Sequence, residues 1–288
     1  MTDAVLDVAP ARGRRTSTDV RAALTFITPQ ETKPVFKSAA LTGGAPRVLF
    51  DTERHTVLIQ DMRPIADTLS LDREGFELRR HETAVVDLYD DDAIERRYFP
   101  EIEALLRAAT GASRVVVFDA TRRSDGGTGA RNRDGLRGPA SRVHVDYTEK
   151  SGPQRLKDLL GEAEAARLVA AGARIVQINV WRPIRGPVPR SPLALADAGS
   201  IRFQDLVATD QVFPDRVGEI YHLAYDPGQR WYYAPLMTPD EVLLIKGYDS
   251  LSDRARFTPH GAFDPPDVAA DAPPRESIEV RTLVVIER

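Results

Sequence analysis

The triplet His144-Val-Asp146 carries the clearest chemical signal in this sequence. On an extended strand, residues i and i+2 point to the same face, so an imidazole and a carboxylate stand side by side. With one further histidine they make the two-histidine, one-carboxylate set that leaves open positions on Fe(II). The chain has five histidines and no cysteine. This excludes disulfides, thiolate metal sites, iron–sulfur clusters and a cysteine nucleophile, and leaves any metal to histidine and carboxylate.

Two later histidines compete for the third position. His222 lies mid-strand in Glu219-Ile-Tyr-His-Leu-Ala-Tyr225, flanked by Tyr221 and Leu223. His260 lies at the mouth of a turn in Arg256-Phe-Thr-Pro-His-Gly-Ala-Phe263, where Gly261 and Ala262 leave room beside the imidazole. His260 is the better ligand on that ground. A strand follows it, Pro274-Arg-Glu-Ser-Ile-Glu-Val-Arg281, on which Arg275 and Ser277 share a face. A guanidinium fork bonds both oxygens of a carboxylate and a serine adds a donor, so this pair suits the anchoring of an acidic co-substrate. Arg281, on the same face by alternation, is the rival anchor. Asn179, Trp181 and Arg182, at the end of another strand, are candidates for the substrate pocket.

These residues need a β scaffold. Short β-like runs recur at Arg47–Phe50, Thr56–Gln60, Phe76–Val86 and Arg114–Asp119. After Gly172 they recur at Ile175–Trp181, Leu193–Leu195, Glu219–Tyr225, Arg230–Tyr233, Val242–Ile245 and Ser277–Glu287. Asp51 to His55 reads as a hairpin turn between the first two. Apolar spacing of three and four predicts helices over 92–110, stopped by Gly111, and over 153–170. Residues 121–141 are rich in Arg, Gly and Asp and read as a long loop, placed to act as a lid before His144. The expected fold is mainly β with added helices, a sandwich or barrel, in one domain over 23–288 behind a flexible arm at 1–22.

Composition narrows the partners. A net charge of −4 gives no basic footprint for nucleic acid, and no run of 18 apolar residues or signal-peptide core appears. A cytoplasmic protein acting on a small molecule is expected, with its oligomeric state open.

Several strings in order carry a resemblance: His144-Val-Asp-Tyr-Thr148, Ser151-Gly-Pro153, Asn179-Val-Trp-Arg-Pro183, Trp231-Tyr-Tyr233, Met237-Thr-Pro-Asp-Glu241, Lys246-Gly-Tyr-Asp-Ser250, Arg256-Phe-Thr-Pro-His260 and Pro274 to Arg281. The chain resembles the hydroxylase/desaturase family that includes fungal asaB-type, gibberellin-desaturase-like and cephem 7α-methoxylase-related proteins. The resemblance implies a double-stranded β-helix (a cupin-like jelly roll), Fe(II), 2-oxoglutarate and O₂. It implies hydroxylation or desaturation of a small molecule in specialised metabolism. A family histidine before the Arg-Trp-Tyr-Tyr string is here Gln229; either a histidine there is not an obligatory metal ligand, which fits the set above, or this chain has lost one. Two other readings stand beside this one: a cupin-like metal enzyme that does not use 2-oxoglutarate, and a non-catalytic β-barrel binding protein.

Overall fold

Alternation along the strands sets the architecture. Val176, Ile178 and Val180 are buried in one cluster with Tyr98, Ile102 and Leu106 from a helical segment. The next residue, Trp181, packs in a different cluster, with Leu195 and Ala262. One strand therefore separates a helix-covered face from a face turned toward a second sheet. The computed structural model describes residues 18–43, 45–126, 131–132 and 135–287.

In chain order the strands are β1 (Val20–Ile27), β2 (Val35–Lys37), β3 (Arg47–Leu49), β4 (Thr52–Asp61), β5 (Phe76–Arg80), β6 (Arg114–Ser124), β7 (Arg131–Asn132), β8 (Gly135–Leu136) and β9 (His144–Val145). They continue as β10 (Arg174–Pro183), β11 (Leu193–Ala196), β12 (Leu206–Val212), β13 (Val217–Leu223), β14 (Trp231–Tyr233), β15 (Glu241–Asp249), β16 (His260–Ala262) and β17 (Glu276–Ile286). The α-helices are α1 (Ala39–Thr42), α2 (Asp91–Ala93), α3 (Phe99–Thr110), α4 (Ser151–Leu160) and α5 (Glu162–Ala170).

The larger sheet is ordered β1-β4-β14-β11-β16-β9-β13-β12-β2-β3 and the smaller β5-β15-β10-β17-β6. The larger sheet curls back on itself. The Val143 amide donates to the Thr25 carbonyl at 2.9 Å, which brings the end strand β1 against the segment leading into β9. α3 covers the outer face of the smaller sheet, and α4 and α5 cover its far end through Leu156, Ala165 and Leu168 against Ile175, Leu283 and Val285. This is the mainly β jelly roll with external helices that the sequence leads one to expect.

Several local expectations change. Asp51 to His55 is not a hairpin turn, because Thr52–Asp61 is one continuous strand with alternating exposure, and β4 pairs with β1 while β3 pairs with β2. The strand expected over Phe76–Val86 ends at Arg80. Residues 20–22, expected to belong to a flexible arm over 1–22, lie in β1; residues 1–17 lie outside the described residues. The loop expected over 121–141 starts later, because β6 runs on to Ser124 against β17; residues 127–130 and 133–134 are not described. The helix expected over 92–110 contains a π-helical segment at Ile94–Tyr98, just before Pro100, and Gly111 caps it at φ 71°. The helix expected over 153–170 is two helices, broken where Gly161 adopts φ 82°.

A charged cluster pins β15 to the rest. Lys246 Nζ lies 2.7 Å from Asp249 and 2.9 Å from Asp72 with its side chain buried, and Arg174 joins both carboxylates. Asp249→Ala leaves a buried ammonium short of its nearest partner. We expect a loss of about 3–5 kcal/mol, read from urea unfolding.

Candidate active site

β9 is only two residues long, but it lies between two other strands of the curl. His144 pairs in register with His260 of β16 on one side and with His222 of β13 on the other. The His144 and His260 rings are 4.6 Å apart, centre to centre. Asp146 follows on the same face as His144. His144, Asp146 and His260 bring one ligand atom each to within 4.8 Å of one another.

The hydrogen bonds around them fix the histidine tautomers. His144 Nδ1 lies 2.9 Å from the Arg142 carbonyl and His260 Nδ1 3.0 Å from the Thr258 carbonyl. A carbonyl only accepts, so each Nδ1 carries the proton and each Nε2 presents its lone pair. Burial, then the neighbouring His260, pushes the His144 imidazole down to about 4, so it is neutral and able to ligate near pH 7. Burial works against ionisation of Asp146, but Arg281 and an Asn179 hydrogen bond help hold its carboxyl well below the usual carboxylate range. Arg281 Nη2 is 3.8 Å from Asp146, and the same guanidinium bonds Asp119 at 2.7 Å and Glu279 at 2.9 Å. The local geometry thus presents two neutral imidazoles and one carboxylate on one face, the donor set that Fe(II) takes.

Beside this group a small cavity is lined by Arg123, His144, Trp181, His260, Arg275 and Glu279. Larger clefts elsewhere on the surface contain none of the three clustered residues. Arg275 is 1% exposed. Its Nη1 donates to the Ser191 carbonyl at 2.7 Å and its guanidinium lies 5.7 Å from the centre of the Trp181 ring. Its Nε and Nη2 are buried with no protein partner. Burial, then Arg123 nearby, draws it down to about 10, so it stays charged at neutral pH. A buried cation with two idle donors is costly unless an anion completes it, which fits an acidic co-substrate.

Comparison with known proteins bears directly on this geometry. A family described as "Oxidoreductase/YMDC permease-like domain" matches residues 24–285. The chain is 34% identical to hydroxylase/desaturase efuI of Hormonema carpetanum, over 85% of this chain and 88% of that protein. It is 33% identical to the Fe(II)/2-oxoglutarate-dependent dioxygenase nvfI of Aspergillus novofumigatus (strain IBT 16806), over 84% and 87%. The chain belongs to this family of Fe(II)/2-oxoglutarate-dependent oxygenases. The solved structure of the iron and alpha-ketoglutarate-dependent endoperoxidase NvfI superposes on this oxygenase with a TM-score of 0.82 at 30% identity, covering 96% of this chain and all of that one. The co-substrates of the oxygenase are 2-oxoglutarate and O₂, and its metal is Fe(II).

Not every residue singled out from the sequence meets at the site of this oxygenase. Asn179 and Trp181 face it, Asn179 on Asp146 and Trp181 under Arg275. Arg182 does not. It follows Trp181 on an extended strand and so points to the opposite face, where it bonds the Pro239 carbonyl at 2.7 Å and lies 5.4 Å from the Tyr98 ring centre. Ser277 stands opposite Arg123 and Pro183, on the site face of β17. His222 shares the face of His144, but its Nδ1 is engaged by Thr209 Oγ1 at 3.0 Å, and it is not one of the three clustered residues. Sequence reasoning missed Arg123, hidden in a stretch read as loop. It also missed Glu279, although alternation from Ser277 and Arg281 places it on their face. Among the described residues no helix is long and apolar enough to cross a membrane.

Proposed function

We propose that His144, Asp146 and His260 hold the iron and that Arg275, with Ser277, takes the distal carboxylate of 2-oxoglutarate. The reaction is the hydroxylation or desaturation of a small molecule, in specialised metabolism. The single observation behind this reading is the pairing of a convergent His/Asp/His group with a buried arginine whose idle donors line the same cavity. Iron held there would use O₂, with 2-oxoglutarate as the co-reductant that leaves as succinate and CO₂, to supply the oxidant for C–H cleavage. The chain's own part is to bind, orient and exclude water. The carbonyls of Arg142 and Thr258 set the two imidazoles, Asn179 bonds one oxygen of Asp146 while Arg281 lies 3.8 Å from the other, and Trp181 packs against the anchoring guanidinium.

The test is an anaerobic titration of Fe(II) and 2-oxoglutarate into the metal-free protein. A visible metal-to-ligand charge-transfer band is expected only when both are present. Iron binding without such a band points instead to a metal enzyme that does not use 2-oxoglutarate, and absence of iron binding to a non-catalytic binding protein.

The hold on Asp146 gives a further expectation. Asn179→Ala removes the donor that orients this carboxylate while leaving all three ligands in place. Affinity for Fe(II) should fall by about 10–100-fold, as measured by competition with a chromophoric chelator.

A further inference from the structure

Arg142 stands two residues before His144, and alternation puts the two side chains on one face, about 7 Å apart along the strand. Both ends of the curled sheet converge on it. Thr25 of β1 bridges its backbone, while its guanidinium lies 5.9 Å from the ring centre of Phe36 on β2 and 6.0 Å from that of Phe50, just past β3. Phe50 in turn packs on His222, 4.8 Å between ring centres, and His222 is the in-register neighbour of His144.

Arg281, beside this site, is spoken for by carboxylates, lying against Asp119, Glu279 and Asp146. Among the described residues Arg142 has no carboxylate partner, and its buried Nε has no hydrogen-bond acceptor. Its backbone carbonyl is already committed to His144, so the residue serves the ligand through its main chain and leaves its side chain free. Two phenyl rings lie near the charge, and the buried Nε gives up hydration with no acceptor in return. An anionic group attached to an apolar body would compensate it on both counts, the charge by the fork and the body by the rings.

We propose that Arg142, Phe36, Phe50 and His222 form the substrate-recognition subsite, and that the substrate class is a hydrophobic organic acid whose carboxylate pairs with Arg142. The inference rests on the iron reading above, because the subsite matters only if oxidation happens at His144. A carboxylate seated there places the carbons next to it beside the metal ligands. It is also distinct from the Arg275 anchor, which lines the cavity on the Trp181 side.

The experiment uses 1-naphthaleneacetate and its uncharged match, 1-naphthaleneacetamide, as probes. The protein is loaded anaerobically with Fe(II) and saturated with 2-oxoglutarate, so that Arg275 is already occupied. Binding is followed by calorimetry, and the charge-transfer band is recorded in the same samples. The acid should bind about tenfold or more tightly than the amide. Arg142→Gln should erase that preference while the band stays, and Arg142→Lys, which keeps the charge, should retain part of it. Equal binding of acid and amide, no saturable binding of the acid, or a preference that survives Arg142→Gln in protein still showing the band would each overturn the subsite. The comparison of acid with amide on the unaltered protein does not depend on a variant folding. Absence of the band in the unaltered protein would instead count against the iron reading.

Discussion

Replacing His260 by alanine is expected to strip the protein of Fe(II), whereas His222→Ala keeps it. Both histidines neighbour His144 in register, one from each side, so position alone does not separate them. What separates them is where their nitrogens go. His260 spends Nδ1 on a backbone carbonyl and turns Nε2 toward His144 and Asp146, while His222 engages Thr209 and packs on Phe50. Removing one of the three proposed protein ligands should cost more than the roughly 10–100-fold typical of losing a group that merely orients a ligand. Bound iron is measured in desalted, folded protein, with circular dichroism as the folding control. Iron lost from the His222 variant and retained by the His260 variant would replace the triad proposed here.

The second large effect is on the co-substrate. Arg275→Gln removes a buried cation from the carboxylate it would meet, a change worth roughly 2–5 kcal/mol when the pair is desolvated. The affinity for 2-oxoglutarate should drop by on the order of 30-fold or more, with Fe(II) affinity nearly unchanged. Arg281→Gln should do the reverse. Its guanidinium is already shared among Asp119, Glu279 and Asp146, so its loss disturbs the metal carboxylate before it disturbs the co-substrate. Titrating the charge-transfer band against each component in turn separates the two effects. If Arg281→Gln weakens 2-oxoglutarate and Arg275→Gln does not, the anchor has been assigned to the wrong residue.

Some of this was legible in the sequence, and the reasons are local. The two-residue period made His144 and Asp146 neighbours without any tertiary knowledge. The same period joined Arg275 to Ser277, whereas Gly261, read as leaving room beside His260, lies on the other side of β16 against the Val143 backbone. Where reasoning stayed at the level of a segment it went astray. Trp181 and Arg182 were assigned to one pocket because both end a strand, yet adjacent residues on a strand face opposite ways. Asp51 to His55 looked like a turn because it is polar, but an exposed strand is polar along one edge as well. The break at Gly161 lay inside an apolar pattern that continues across it, so the periodicity carried no sign of the left-handed φ that separates α4 from α5. The partnership of Arg142 with Phe36 and Phe50 was out of reach. It depends on how far a ten-stranded sheet curls, and no local pattern encodes that.

The placing of β17 bears on how this protein comes to be made. It is the last strand of the fold, yet it sits inside the smaller sheet, paired to β10 on one side and β6 on the other. A ribosome delivers both of those strands long before their common neighbour. Until then β10 and β6 each expose a ladder edge, and the residues destined for the iron pocket have no wall carrying Glu279 and Arg281. The growing chain therefore passes through a stage with open, sticky edges of the kind that recruits chaperones or aggregates. Oxidative chemistry cannot begin on a half-built scaffold, because the wall that carries Glu279 and Arg281 follows every other described strand.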